Sequence, residues 1–229
     1  VAVRFNATPE HYTATLNAGT QTVYTFCAWV KITTDRNTWS GCLSLYDADA
    51  GNASFIETNA DGTSWELLFD NGNTQSMVNA TAGSWYFLAA TVNGSMVNTY
   101  VKPLGGSISN TSSATVSSTA TSVVATRFRL GDWPEGGEWL NGCVTGAKLW
   151  LGAALTQAEL NTESTQLLPV RTTNLTAAYP LETAQTTDYS GNGYTLAVTG
   201  TPSTEAGPTG IPLGSMPSIE PGRMLLSHR

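Results

Sequence analysis

Residues 84–106 read SWYFLAATVNGSMVNTYVKPLGG, and residues 24–32 read YTFCAWVKI. Both are dominated by β-branched and aromatic side chains in runs of strand length. In the longer stretch, Asn93-Gly94 separates two such runs, and this dipeptide tolerates the positive φ that a tight hairpin requires. In the shorter one, Phe26, Ala28, Val30 and Ile32 share one face, and Cys27, Trp29 and Lys31 share the other, because successive strand side chains point to opposite sides. Both faces are largely apolar, which predicts a central strand with material packed on each side. Alternation alone leaves open which face meets the main core, and the strand beginning at Trp85 has the same ambiguity.

Outward from these stretches, short segments rich in Val, Tyr, Phe, Trp and Thr recur with Gly, Asn, Asp or Pro between them. They predict strands near 2–6, 10–16, 22–32, 41–47, 53–58, 64–69, 75–79, 84–92, 95–101, 122–130, 142–151, 176–180 and 193–199. Asp61-Gly62, Asn71-Gly72 and Asn93-Gly94 predict three successive hairpins, hence an antiparallel meander. Residues 105–121 are mostly Ser, Thr and Gly and predict an exposed connection or an irregular edge. One stretch reads as helical: Thr156 is an N-cap, Glu159 its capping-box partner, and Leu155, Ala158 and Leu160 give an apolar side. The expected architecture is all-β, a two-sheet antiparallel sandwich with one short helix on its edge.

Composition supports this class and excludes others. Ser and Thr make up about a quarter of the 229 residues and only 12% are charged, which suits many strands joined by polar turns. With a net charge of -7 and only ten scattered Lys and Arg, no surface can neutralise a phosphate backbone, so nucleic acid is excluded as a partner. No run reaches the ~18 apolar residues of a membrane helix. Cys27, Cys42 and Cys143 lack CxxC spacing, and His11 and His228 stand at opposite ends, which argues against zinc. Cys27 and Cys42 could pair across neighbouring strands or remain buried free thiols. Val1 is not followed by a charged and apolar leader, which suits a secreted protein already processed or a component of a virus particle.

Three elements, in order, resemble one family. YTFCAWVKI at 24–32 is similar to the F-T-I-S-A-W-V-K strand of laminin-G-like, concanavalin A-like jelly rolls. SWYFLAATVNGSMVNTYVKPLGG at 84–106 resembles their W-x-H-V-A-x-T-Y-D-G hairpin, and 129–160 resembles the segment that ends in their edge helix. A fourth, AAYPLETAQTTDYSGNGYTLAVTGTP at 177–202, is similar to the family's opening strands, yet here it comes last. The resemblance therefore implies a concanavalin A-like sandwich over 1–206 whose opening strands (176–202) are supplied last. Residues 207–229 follow as an extended Pro/Gly-rich tail without strand periodicity. In that tail Ile211, Leu213, Met216, Ile219, Met224, Leu225 and Leu226 are the candidate anchors to the chain's own sandwich, a sister copy or a neighbouring protein.

The family includes glycoside hydrolases, which set two carboxylates about the scissile bond. No E-x-D-x-E strand occurs, and the nearest candidates, Glu135 and Glu138, flank glycines in a loop. There is no G-x-S-x-G elbow, and no motif pairs His11 with a nucleophile. The expectation is a protein that is not an enzyme and needs no cofactor, with calcium possible at Asp47, Asp49 and Asn52, oxygen ligands in one turn. Thr145 and Gly146 stand where the family usually carries Asp-Glu. The loop Asp132, Trp133, Glu135, Glu138, Trp139 combines indoles with acids and is the candidate ligand site: an exposed Trp stacks on a sugar face while carboxylates accept hydroxyl protons. The sequence reading is thus a virion-surface protein of bacteriophage type, capsid-decorating or minor tail, with a lectin-like sandwich for host glycan. Its rival is a secreted bacterial carbohydrate- or protein-binding module.

Overall fold

The structure is a computed structural model and describes residues 1–6, 9–34, 38–47, 53–69, 72–133 and 137–216. In chain order these form β1 (Ala2–Phe5), β2 (His11–Thr15), β3 (Thr20–Gln21), β4 (Val23–Ile32), β5 (Ser40–Tyr46), β6 (Ser54–Thr58), β7 (Ser64–Phe69), β8 (Thr74–Asn79), β9 (Trp85–Asn93), β10 (Met96–Pro103) and β11 (Ser109–Thr115). Then come α1 (Ser118–Thr121), β12 (Val123–Val124), β13 (Arg127–Leu130), β14 (Gly142–Leu151), α2 (Gln157–Glu163), β15 (Leu175–Tyr179), β16 (Leu196–Thr199) and β17 (Ser203–Glu205).

Two antiparallel sheets face each other. One runs β11-β10-β9-β4-β14-β1-β17 with β15 also on β14; the other runs β16-β2-β13-β5-β6-β7-β8. The strands whose faces both looked apolar, β4 and β9, are adjacent in the middle of the first sheet, and β14 flanks β4 on its other side. Phe26, Ala28, Val30 and Ile32 point into the inter-sheet core with Leu43, Leu45, Trp65, Leu67 and Phe128. Cys27 and Trp29 point outward into a second core with Phe87, Cys143, Trp150 and Leu160. All three cysteines are free and buried. Burial pushes the Cys27 thiol up to about 12, which makes it an inert apolar filler.

What closes the second core is α2 and the segment after it. The capping box forms as expected: the Thr156 hydroxyl accepts from the Glu159 N–H, and the Glu159 carboxylate accepts from the Thr156 N–H. Beneath α2, the fully buried Lys148 ammonium donates to the Glu163 carboxylate (2.8 Å), the Glu163 carbonyl (2.8 Å) and the Gln166 carbonyl (3.0 Å). Glu163 in turn accepts from the backbone N–H groups of Val170 and Arg171. Every hydrogen of the ammonium is thereby used, the condition for holding a charge pair out of water.

The late ribbon contributes to both sheets. β15 pairs with β14 alongside β1, which occupies the other half of the same edge, and β16 pairs with β2. Asp188 organises the turn between them, accepting from the backbone N–H groups of Ala178, Ser190 and Tyr194. Tyr179, Leu181 and Leu196 lie in the inter-sheet core.

Three expectations change. The hairpins at Gly62 and Gly72 join β6-β7-β8, but the one at Gly94 joins β9 to β10 in the opposite sheet. The meander therefore breaks at residues 80–84, where the chain crosses between sheets. A second helix, α1, joins the one anticipated, and 109–115 forms a regular edge strand of exposed Ser and Thr with one register shift. Of the holders open for the tail, the chain's own sandwich takes the first part: Ile211 and Met216 pack against the second core, and the Pro212 and Leu213 carbonyls accept from the Leu167 and Leu168 N–H groups. Leu213 is exposed, while Ile219, Met224, Leu225 and Leu226 lie outside the described residues.

Candidate functional site

The segment between β13 and β14 folds back over the outer face of the seven-stranded sheet. Its ends are pinned to β5: the Gly131 N–H donates to the Cys42 carbonyl (3.0 Å), and the Gly41 N–H donates to the Glu138 carbonyl (2.7 Å). Gly41 also bridges to Trp139. A Cβ at Gly41 would stand 2.9 Å from the Trp133 nitrogen, so only glycine allows this close approach.

Of the loop residues singled out in the sequence, Asp132 is buried; it accepts from the Trp133 N–H (2.8 Å) and lies 3.6 Å from His11 Nδ1. The Trp133 ring packs on Phe55 at 3.9 Å between centroids and is only 9% exposed, so most of it serves as a plug in a small cluster with Tyr46 and Ala53. Glu138 and an edge of Trp133 reach a groove; Glu135 lies outside the described residues.

The groove, of about 600 Å³, runs over β6 and β7. Trp39, Phe55, Leu68 and Trp133 give it apolar walls, and Glu57, Glu66 and Glu138 give it three carboxyl groups; among the described lining residues none is basic. Alternation explains the grouping. Ile56, Trp65 and Leu67 point into the core, which turns Phe55, Glu57, Glu66 and Leu68 outward. Glu57 and Glu66 are direct cross-strand partners. Trp39, 43% exposed, presents an open ring.

Glu57 is the unusual member. It is 1% exposed, and its Oε2 has no hydrogen-bond partner. Burial, reinforced by the negative charges of Glu138 and Glu66, pushes its carboxyl up to about 9, so it is neutral at pH 7. Burial also raises Glu66. The groove thus offers a stacking ring, acceptors and a protonated acid. Trp39, Glu57 and Glu66 escaped the sequence reading, although counting outward from the Asp61-Gly62 turn sets Glu57 opposite Glu66.

Residues 7–161 match the profile of the concanavalin A-like lectin/glucanases superfamily. The chain belongs to that superfamily. The β15–β16 ribbon follows the matched region. A search of curated proteins returns no match. Among solved superfamily-like folds, a candidate carbohydrate-binding protein from Bacteroides ovatus superposes with TM-score 0.66 at 14% identity, over 93% of this chain and 61% of that one. A heptameric SAP-like pentraxin from Limulus polyphemus gives 0.55 at 16% identity over 70% of this chain and 80% of that one. The enzymatically active domain of tailspike protein 2 from bacteriophage CBA120 gives 0.57 at 13% identity over 74% and 28%. This chain therefore spans less than two thirds of the Bacteroides and tailspike chains.

Of the candidate calcium ligands only Asp47 is described. The Thr145 hydroxyl, where an acidic pair is usual, donates to the Pro180 carbonyl at 2.6 Å, and Gly146 packs on Leu167. Asp49 and Asn52 lie outside the described residues, and among those described no group of three His, Cys, Asp or Glu is placed for a metal.

Proposed function

We propose that this protein is a non-catalytic glycan-binding sandwich displayed on a bacteriophage particle, with its ligand in the Trp39–Glu57–Glu66 groove. The groove carries the reading: an open indole for a sugar face beside acceptors for hydroxyl protons, with Glu57 and Glu66 paired on adjacent strands. The non-catalytic reading draws on the sequence, which holds no E-x-D-x-E strand. The phage setting draws on the tailspike fold neighbour and on a tail that leaves Leu213 exposed for a neighbouring virion protein. The likeness to the Bacteroides protein over nearly the whole chain favours a second setting, a secreted bacterial binding module.

Calorimetric titration with a panel of bacterial surface oligosaccharides tests the binding. Trp39→Ala is expected to weaken it about tenfold, the worth of one stacked ring. Binding unchanged in that variant would remove the groove from the reading. Antibody labelling of intact phage particles against culture supernatant separates the two settings.

A further inference from the structure

A buried acid without a partner needs a reason. The deeply buried Glu163 is met by Lys148 and two N–H groups. Glu57, 1% exposed, has an oxygen with no partner, and among the described residues the charged groups acting on it are two further acids, Glu138 from the loop and Glu66 from β7. A buried polar atom left unsatisfied is destabilising, and the like charges around it add to that cost.

From this unpartnered carboxyl, its two acidic neighbours and the aromatic walls around them, we infer that the groove selects a cationic sugar, one carrying a primary ammonium group. A neutral sugar would leave the Glu57 carboxyl beside Glu66 without a counter-charge, whereas an ammonium supplies one and finds the open ring of Trp39 beside it. A bare divalent ion fits less well. Calcium takes six to eight oxygens, and the groove walls are largely carbon. The inference rests on the glycan-binding reading and names the class of glycan. It carries a proton signature: Glu57 is neutral in the empty groove, and an ammonium nearby favours its ionised form, so binding releases a proton.

The test is calorimetry at about pH 5, where the sugar amines are fully protonated and Glu57 is still neutral, with the tetramer of β-1,4-linked glucosamine and with its fully N-acetylated counterpart, each in two buffers of different ionisation heat. The amine form is expected to bind at least about tenfold tighter, a difference of one charge-assisted contact, with net proton release. Glu57→Gln matches the neutral acid in shape and charge, so it is expected to fold; it should abolish proton release, and Glu66→Gln should reduce the preference for the amine. Equal affinity for the two tetramers overturns the inference while leaving glycan binding intact. Amine binding without proton release overturns the part assigned to Glu57. Displacement of the amine tetramer by millimolar calcium would make the groove a metal site instead, and failure of both tetramers in a protein that binds another oligosaccharide would exclude the amine.

Discussion

The two outer faces of the sandwich handle buried charge in opposite ways. On the eight-stranded sheet, Lys148 and Glu163 are sealed under α2 and satisfy each other and four backbone groups, with Trp29 and Trp150 packed around them. On the seven-stranded sheet, Glu57 is as deeply buried, yet its Oε2 has no partner and, among the described residues, the charges acting on it are other acids. A closed face saturates its polar atoms, whereas a face that receives something from outside keeps some of them waiting. On the function proposed above, the difference separates a structural surface from a binding surface within one fold.

The largest expected effect breaks the closed face. Lys148→Met leaves Glu163 buried without its cation and should destabilise the fold by about 3–5 kcal/mol, read from urea unfolding. Lys148→Met with Glu163→Leu should recover much of the loss, since replacing both partners removes the stranded charge. Groove binding should be unaffected by the double change. A single variant as stable as the parent would mean that the two faces do not differ in this way.

The next effect is a matter of pH and distinguishes the faces by sign. Glu57 is raised in the folded protein, so its contribution is full below the ordinary carboxylate range and is lost as pH climbs toward about 9. Glu159 and Glu205 are lowered, the first chiefly by the Thr156 N–H and the second chiefly by Lys31; their contributions are present above the ordinary range and are lost in acid. Stability should therefore fall from the ordinary carboxylate range up to about pH 9, an alkaline-going limb with a slope of at most about 1.4 kcal/mol per pH unit, and Glu57→Gln should flatten that limb alone. A limb of unchanged slope in the variant would assign the alkaline loss to other groups.

Gly41→Ala probes how the open face is framed. Its Cβ would press on the Trp133 nitrogen at 2.9 Å, and backbone against backbone yields little. The expected cost is about 1–3 kcal/mol, with weaker ligand binding as the Trp133 wall shifts.

Much of the closed face was legible in the sequence, and the open face far less so. Strand alternation around Trp29 and in the strand from Trp85 already required cover on both sides, and the Thr156–Glu159 box announced the helix that supplies part of it. The hairpin dipeptides marked turns, but a turn does not say which sheet its strands join, so the crossing at residues 80–84 went unread. The strand side of the groove went unread for a similar reason. Trp133 and the acids beside it are adjacent in sequence, whereas Glu57, Glu66 and Trp39 meet only through the β6–β7 register and the fold of the neighbouring loop. A cluster that chain proximity creates is visible in a sequence; one created by pairing needs the register to be counted.

The smallest effect sharpens the comparison most directly. Thr156→Ala removes the hydroxyl that accepts from the Glu159 N–H, and an N-cap of this kind contributes about 1 kcal/mol. Because α2 is a lid on the second core, the loss should appear as faster hydrogen exchange over residues 157–171, where Glu163 holds the Val170 and Arg171 N–H groups. The alkaline limb governed by Glu57 and the affinity of the groove should both stay as they were, since no element of the open face contacts the cap. Loss of groove affinity in this variant would show that the two faces communicate through the core, and the contrast between a sealed side and a receiving side would then have to be replaced by a single coupled unit.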